Sequence, residues 1–102
     1  YRNLTGVRRV YAGMVSALDE TVGQIVEAVR AAGLSDRTLF VFSSDNGAGL
    51  IDTVPHGGSS GPFRGGFFTP PWEGSMRTAA MVRYPGTVPE GVVTQQMLSA
   101  HD

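Results

Sequence analysis

The chain has 102 residues, 41% of them apolar, and a formal net charge of −1, which fits one small globular unit or part of a larger one. Arginine supplies all eight positive charges, and they are scattered, so there is no basic patch of the kind that nucleic acid or an anionic membrane surface requires. No apolar run has the length of a membrane-spanning helix, and the absence of cysteine excludes a disulfide framework, a thiolate metal site and a cysteine nucleophile.

The first residues, Tyr1-Arg2-Asn3-Leu4, show no secretory-signal pattern and read like the interior of a longer protein, which leaves the compartment open. From residue 7 to about 33, Tyr11, Met14, Val15, Leu18, Val22, Ile25, Val26 and Val29 recur at three- and four-residue steps, the spacing of one face of a helix. Asp19, Glu20, Gln24, Glu27 and Arg30 lie beside that stripe, and Asp19 is read as a rim charge. Gly33, followed by Ser35 and Asp36, is a helix stop. A helix, a short turn and then a strand make half of a βαβ repeat, so the class is α/β.

The strand is predicted over 38–44. Leu39, Phe40, Val41 and Phe42 form a continuous apolar run, the mark of a strand buried on both faces. Asp45, Asn46 and Gly47 follow directly. Two readings stand side by side at this point. Asn-Gly is a common hairpin turn, and adjacent carboxylate and amide oxygens at a strand end suit a hard cation such as Ca²⁺ or Mg²⁺.

Between Gly47 and Gly74 lie eight of the fourteen glycines, and no helical or strand period survives across 47–75. Loops of this length in compact domains usually carry function. This one holds His56, Arg64, three phenylalanines and Trp72. Arg64 offers a fork of N–H donors matched to sulfate, phosphate or carboxylate. His56 and Arg64 are therefore candidate substrate-binding residues, each with a plainer reading as a solvated or loop-bracing side chain. A second strand is predicted over 78–84, closed by Pro85-Gly86. Val92 to Met97 reads as a short strand or extended piece, and residues 98–102 as the opening of another helix. There is no phosphate-binding Gly-rich loop, no Gly-x-Ser-x-Gly elbow, no paired-His zinc motif and no lysine.

Taken in order, Tyr11-Ala12-Gly13-Met14-Val15, Phe40-Val41-Phe42-Ser43-Ser44-Asp45-Asn46-Gly47, Phe63-Arg64-Gly65-Gly66, Trp72-Glu73-Gly74-Ser75-Met76-Arg77 and Val82-Arg83-Tyr84-Pro85-Gly86 resemble the arylsulfatase family of the alkaline-phosphatase-like superfamily. The resemblance implies a segment of an α/β sandwich with a mostly parallel central sheet flanked by helices, residues 1–102 forming the later portion of a catalytic domain. It implies sulfuric ester hydrolysis, with Asp45 and Asn46 as two ligands of a Ca²⁺ ion whose place Mg²⁺ or Mn²⁺ could take. It implies a small-molecule or carbohydrate sulfate ester as substrate, and a formylglycine nucleophile formed upstream from a Cys/Ser-x-Pro-x-Arg motif. Ser60-Gly61-Pro62-Phe63-Arg64 has that skeleton but follows the metal pair instead of preceding it, and is read as coincidental. Where many sulfatases carry a lysine, this chain has Phe67 and Phe68, which leaves His56 or Arg64 to supply positive charge. The alternatives are a phosphatase, phosphodiesterase or phosphonate hydrolase of the same superfamily, and a non-catalytic metal-binding module.

Overall fold

A computed structural model describes residues 3–49, 57–99 and 101. The elements are α1 (Gly6–Ala31), a 3-10 turn (Ser35–Arg37), β1 (Phe40–Ser43), α2 (Glu73–Met76) and β2 (Ala80–Arg83).

α1 forms where the three-and-four spacing predicts it, and its end is built by backbone. The Gly33 N–H donates to Arg30 C=O at 3.0 Å and the Leu34 N–H to Val29 C=O at 3.1 Å. These two bonds satisfy carbonyls that would otherwise be orphaned, and they require a left-handed residue, which Gly33 supplies at φ 69°. Arg30 in the last turn complements the helix dipole and pairs with Glu27 at 2.6 Å, holding the Glu27 carboxyl below its ordinary range. The 3-10 turn is tied back to the same corner by Thr38 Oγ1, which donates to Leu34 C=O at 2.9 Å.

β1 and β2 pair antiparallel, with Phe40 opposite Arg83, Val41 opposite Val82, Phe42 opposite Met81 and Ser43 opposite Ala80. The ladder is carried one step further by the Ser44 N–H to Ala79 C=O, 3.2 Å, and by Thr78 Oγ1 to Ser44 C=O, 3.0 Å. Both strands are shorter than the predicted 38–44 and 78–84. The α/β class stands, but the described strands do not include a parallel pair. The described sheet is a single antiparallel ladder of two strands, too small to carry the mostly parallel centre that the resemblance implies. Nor is β1 buried on both faces: Phe40 and Phe42 are half-buried and Val41 is 64% exposed. Residues 92–97 form no strand. Within them the Gln96 N–H donates to Thr94 Oγ1, and Arg77 Nη2, 18 positions away, donates to Gln95 Oε1. No helix opens among the described residues after 97.

No apolar side chain among the described residues is buried. The stripe on α1 is left largely open, with Met14 67% and Ile25 54% exposed and Val22, Val26 and Val29 half-buried. Burial is found instead at Gly66 and Gly74, inside the loop region. Since apolar burial is the main favourable term in folding, little opposes chain entropy here. The 102-residue chain by itself is expected to melt gradually and to bind a hydrophobic dye. A sharp calorimetric transition from a monomer would contradict this.

Candidate metal and anion site

β1 delivers the chain to Ser44, whose hydroxyl donates to the Asn46 C=O at 3.1 Å and closes a bend around Asp45. The Asn46 side-chain N–H₂ donates to the Gly47 C=O at 2.9 Å, leaving the amide oxygen Oδ1 as the group's remaining polar atom. The Asp45 carboxylate is exposed and makes no hydrogen bond or ion pair with another described residue. Asp45, Asn46 and Gly47 are not a hairpin turn, because the partner of β1 is β2 and not the segment that follows Gly47.

Gly47 instead meets α2. Its N–H donates to the Ser75 C=O at 3.0 Å, and a Cβ built on Gly47 would overlap the Gly74 carbonyl. A Cβ on Gly74 would likewise overlap the carbonyl of Gly65. Side-chain-free backbone at both positions is what permits this approach. The Gly74 N–H in turn donates to the Arg64 C=O at 2.8 Å, and the Phe67 N–H to the Ala48 C=O at 2.9 Å, so that Gly49 and Phe67 form an isolated parallel bridge. Ser60 joins the same knot: the Ala48 N–H donates to its Oγ at 3.2 Å, and the hydroxyl donates to the Gly74 C=O at 2.8 Å.

Arg64 is exposed, with its guanidinium carbon 3.7 Å from the centre of the Trp72 ring. Stacking uses the face of the guanidinium and leaves the in-plane N–H fork open for an anion. Trp72 is steadied by Ser75 Oγ, whose single proton is shared between the Trp72 C=O at 2.8 Å and the Pro70 C=O at 3.1 Å. Beside this, Phe67 and Phe68 stand with ring centres 4.1 Å apart, and Phe68 holds a left-handed φ of 64°. His56 lies outside the described residues.

Both carboxylate oxygens of Asp45 and the amide oxygen of Asn46 can serve a hard cation, which takes about six to eight oxygens in the case of Ca²⁺. The pair fits part of such a shell. Among the described residues no cluster of three or more His, Cys, Asp or Glu gathers to complete it. Asp45 and Asn46 directly precede Gly47 and Ala48, whose backbone enters the hydrogen-bonded knot that the Arg64 C=O also joins; the Asp45 carboxylate takes no bond in it. Ser60 and Trp72 belong to it too. Sequence reading did not single out Ser60 as a binding or bracing residue, and its only signal was the Ser-x-Pro-x-Arg skeleton.

Comparison with known proteins bears on the whole chain. N-acetylgalactosamine-6-sulfatase of Rattus norvegicus is 40% identical over 98 residues, which is 96% of this chain and 18% of the relative. Steryl-sulfatase of Rattus norvegicus is 35% identical over 96 residues, 90% of this chain and 16% of the relative. Arylsulfatase J of Mus musculus is 33% identical over 103 residues, 100% of this chain and 16% of the relative. The chain therefore spans less than a fifth of the length of these relatives. No solved structure matches it. The sulfatase family matches over residues 2–102, and with that match the chain belongs to the sulfatase family.

Proposed function

We propose that this chain is the later portion of the catalytic domain of a sulfuric ester hydrolase, and that it supplies part of a divalent-cation site and one wall of the substrate pocket. The observation that carries this reading is the tethering of the Asp45 and Asn46 tip to the loop bearing Arg64 within a chain of the sulfatase family.

Asp45 and Asn46 would hold the cation, Ca²⁺ by preference and Mg²⁺ or Mn²⁺ in its place, through the Asp45 carboxylate and the Asn46 amide oxygen. A bound cation of this kind draws electron density from the sulfate oxygens and fixes their position. Arg64 binds the remaining sulfate oxygens through its planar donor fork, and Trp72 keeps that fork facing the pocket. With no lysine in the chain, Arg64 is the cation that the described part of the loop offers beside the tip. The chain has no cysteine, and its Ser-x-Pro-x-Arg stretch at 60–64 follows the Asp45 and Asn46 pair instead of preceding it, so the formylglycine nucleophile of the family is assigned to residues outside these 102. The substrate is a sulfate ester of a small molecule or carbohydrate, a range that the steryl and N-acetylgalactosamine names of the relatives span. Phosphate esters share the tetrahedral anion, but the relatives named here are sulfatases, which favours sulfate.

In the full enzyme, Asp45→Ala should weaken Ca²⁺ binding by at least about a hundredfold, since it removes a direct ligand where even supporting groups matter tenfold or more. Calorimetric titration of metal-free protein measures this, and stripping the ion with a chelator should abolish sulfate-ester turnover until Ca²⁺ is returned. Arg64→Ala should lower kcat by more than about tenfold, the loss expected when a donor to developing charge is removed. An unchanged kcat in a folded Arg64→Ala enzyme would remove this arginine from the pocket.

A further inference from the structure

Gly47, Ala48, Arg64, Phe67 and Gly74 are tied together through backbone groups, and the side chain that bridges Ala48 to Gly74 is Ser60. We propose that Ser60 is a positioning residue, whose hydroxyl sets the spacing between the Asp45 and Asn46 tip and the Arg64 loop. The assignment rests on the metal and anion reading of that site.

A hydroxyl has one proton to donate and lone pairs to accept, and Ser60 uses both capacities at once. It accepts from the Ala48 N–H at 3.2 Å and donates to the Gly74 C=O at 2.8 Å, while the Gly74 N–H passes the connection on to the Arg64 C=O at 2.8 Å. A continuous series of hydrogen bonds thus runs from the residue two places after Asn46 to the arginine. The Ala48 N–H, the Ser60 hydroxyl and the Gly74 C=O polarise one another, and the Gly74 Cα joins that set mechanically to the N–H held by the Arg64 backbone carbonyl. Ser60 acts on the reaction through where it holds the tip and the loop.

The same geometry gives Ser60-Gly61-Pro62-Phe63-Arg64 a role other than that of a nucleophile motif. Oxidising Ser60 to an aldehyde would remove the O–H that the Gly74 carbonyl binds. That would leave a buried residue's carbonyl without this partner, a change that hydrogen-bonded interiors resist.

The test uses Ser60→Ala and Ser60→Thr in the full enzyme. In Ser60→Ala, amide exchange at Ala48 should accelerate roughly tenfold, the equivalent of one lost hydrogen bond. Exchange at Leu34, in the remote cap of α1, should not change. The Ca²⁺ dissociation constant should rise roughly tenfold, as for loss of a group that orients ligands. KM for a nitrophenyl sulfate should rise with it, Ser60→Thr should restore all of these values, and the peptide containing residue 60 should keep the mass of unmodified serine. The proposal is overturned by unchanged Ala48 exchange and Ca²⁺ binding in Ser60→Ala, by equal acceleration at Leu34, by failure of Ser60→Thr to rescue, or by oxidised Ser60. A wild-type enzyme that binds no Ca²⁺ overturns the metal reading, and Ala48 exchange then still decides whether the hydroxyl bridge exists.

Discussion

At Gly47 and Gly74 the strand tip runs against α2 so closely that a methyl group on Gly47 would enter the space of the Gly74 carbonyl. The rest of the site follows from that contact. It brings the Gly47 N–H to the Ser75 C=O, places Ala48 beside Ser60, and leaves the Gly74 N–H facing the Arg64 carbonyl. In most domains an apolar core fixes the relative positions of segments. Here the described residues bury no apolar side chain, and backbone hydrogen bonding through small residues does that task locally. The result is a well-tied loop attached to elements whose described apolar side chains remain open.

What could be read from sequence tracks how local each signal is. α1 was legible because its apolar spacing repeats from Tyr11 to Val29 and Gly33 marks its end; the stop depends only on residues within one turn. β1 was legible as an apolar run but not in its burial, since composition reports what a strand is suited to and not what lies against it. Residues 92–97 show the converse case. Their β-branched start resembles a strand, yet without a neighbour to complete a ladder the backbone stays irregular.

The site was half legible. Asp45, Asn46 and Arg64 stand out by residue type, because oxygen ligands and a planar cation have recognisable chemistry. The ties among them do not stand out, since Ser60 and Gly74 are separated by 14 positions and their bond depends on how the whole loop folds back. α2 was hidden for a related reason: a single turn with no side-chain cap has no periodicity to detect. Asp45, Asn46 and Gly47 also illustrate how a turn signal misleads. The same small, polar residues that favour a hairpin are the ones that let a strand end against another backbone.

The stack of Arg64 on Trp72 has a thermodynamic side. A free arginine side chain gives up about 2 kcal/mol of rotamer freedom when an incoming anion immobilises it. An arginine already resting 3.7 Å from an indole ring has surrendered part of that freedom before the anion arrives. In the sulfate-binding role proposed for Arg64, that ordering would be charged to folding of the loop instead of to association.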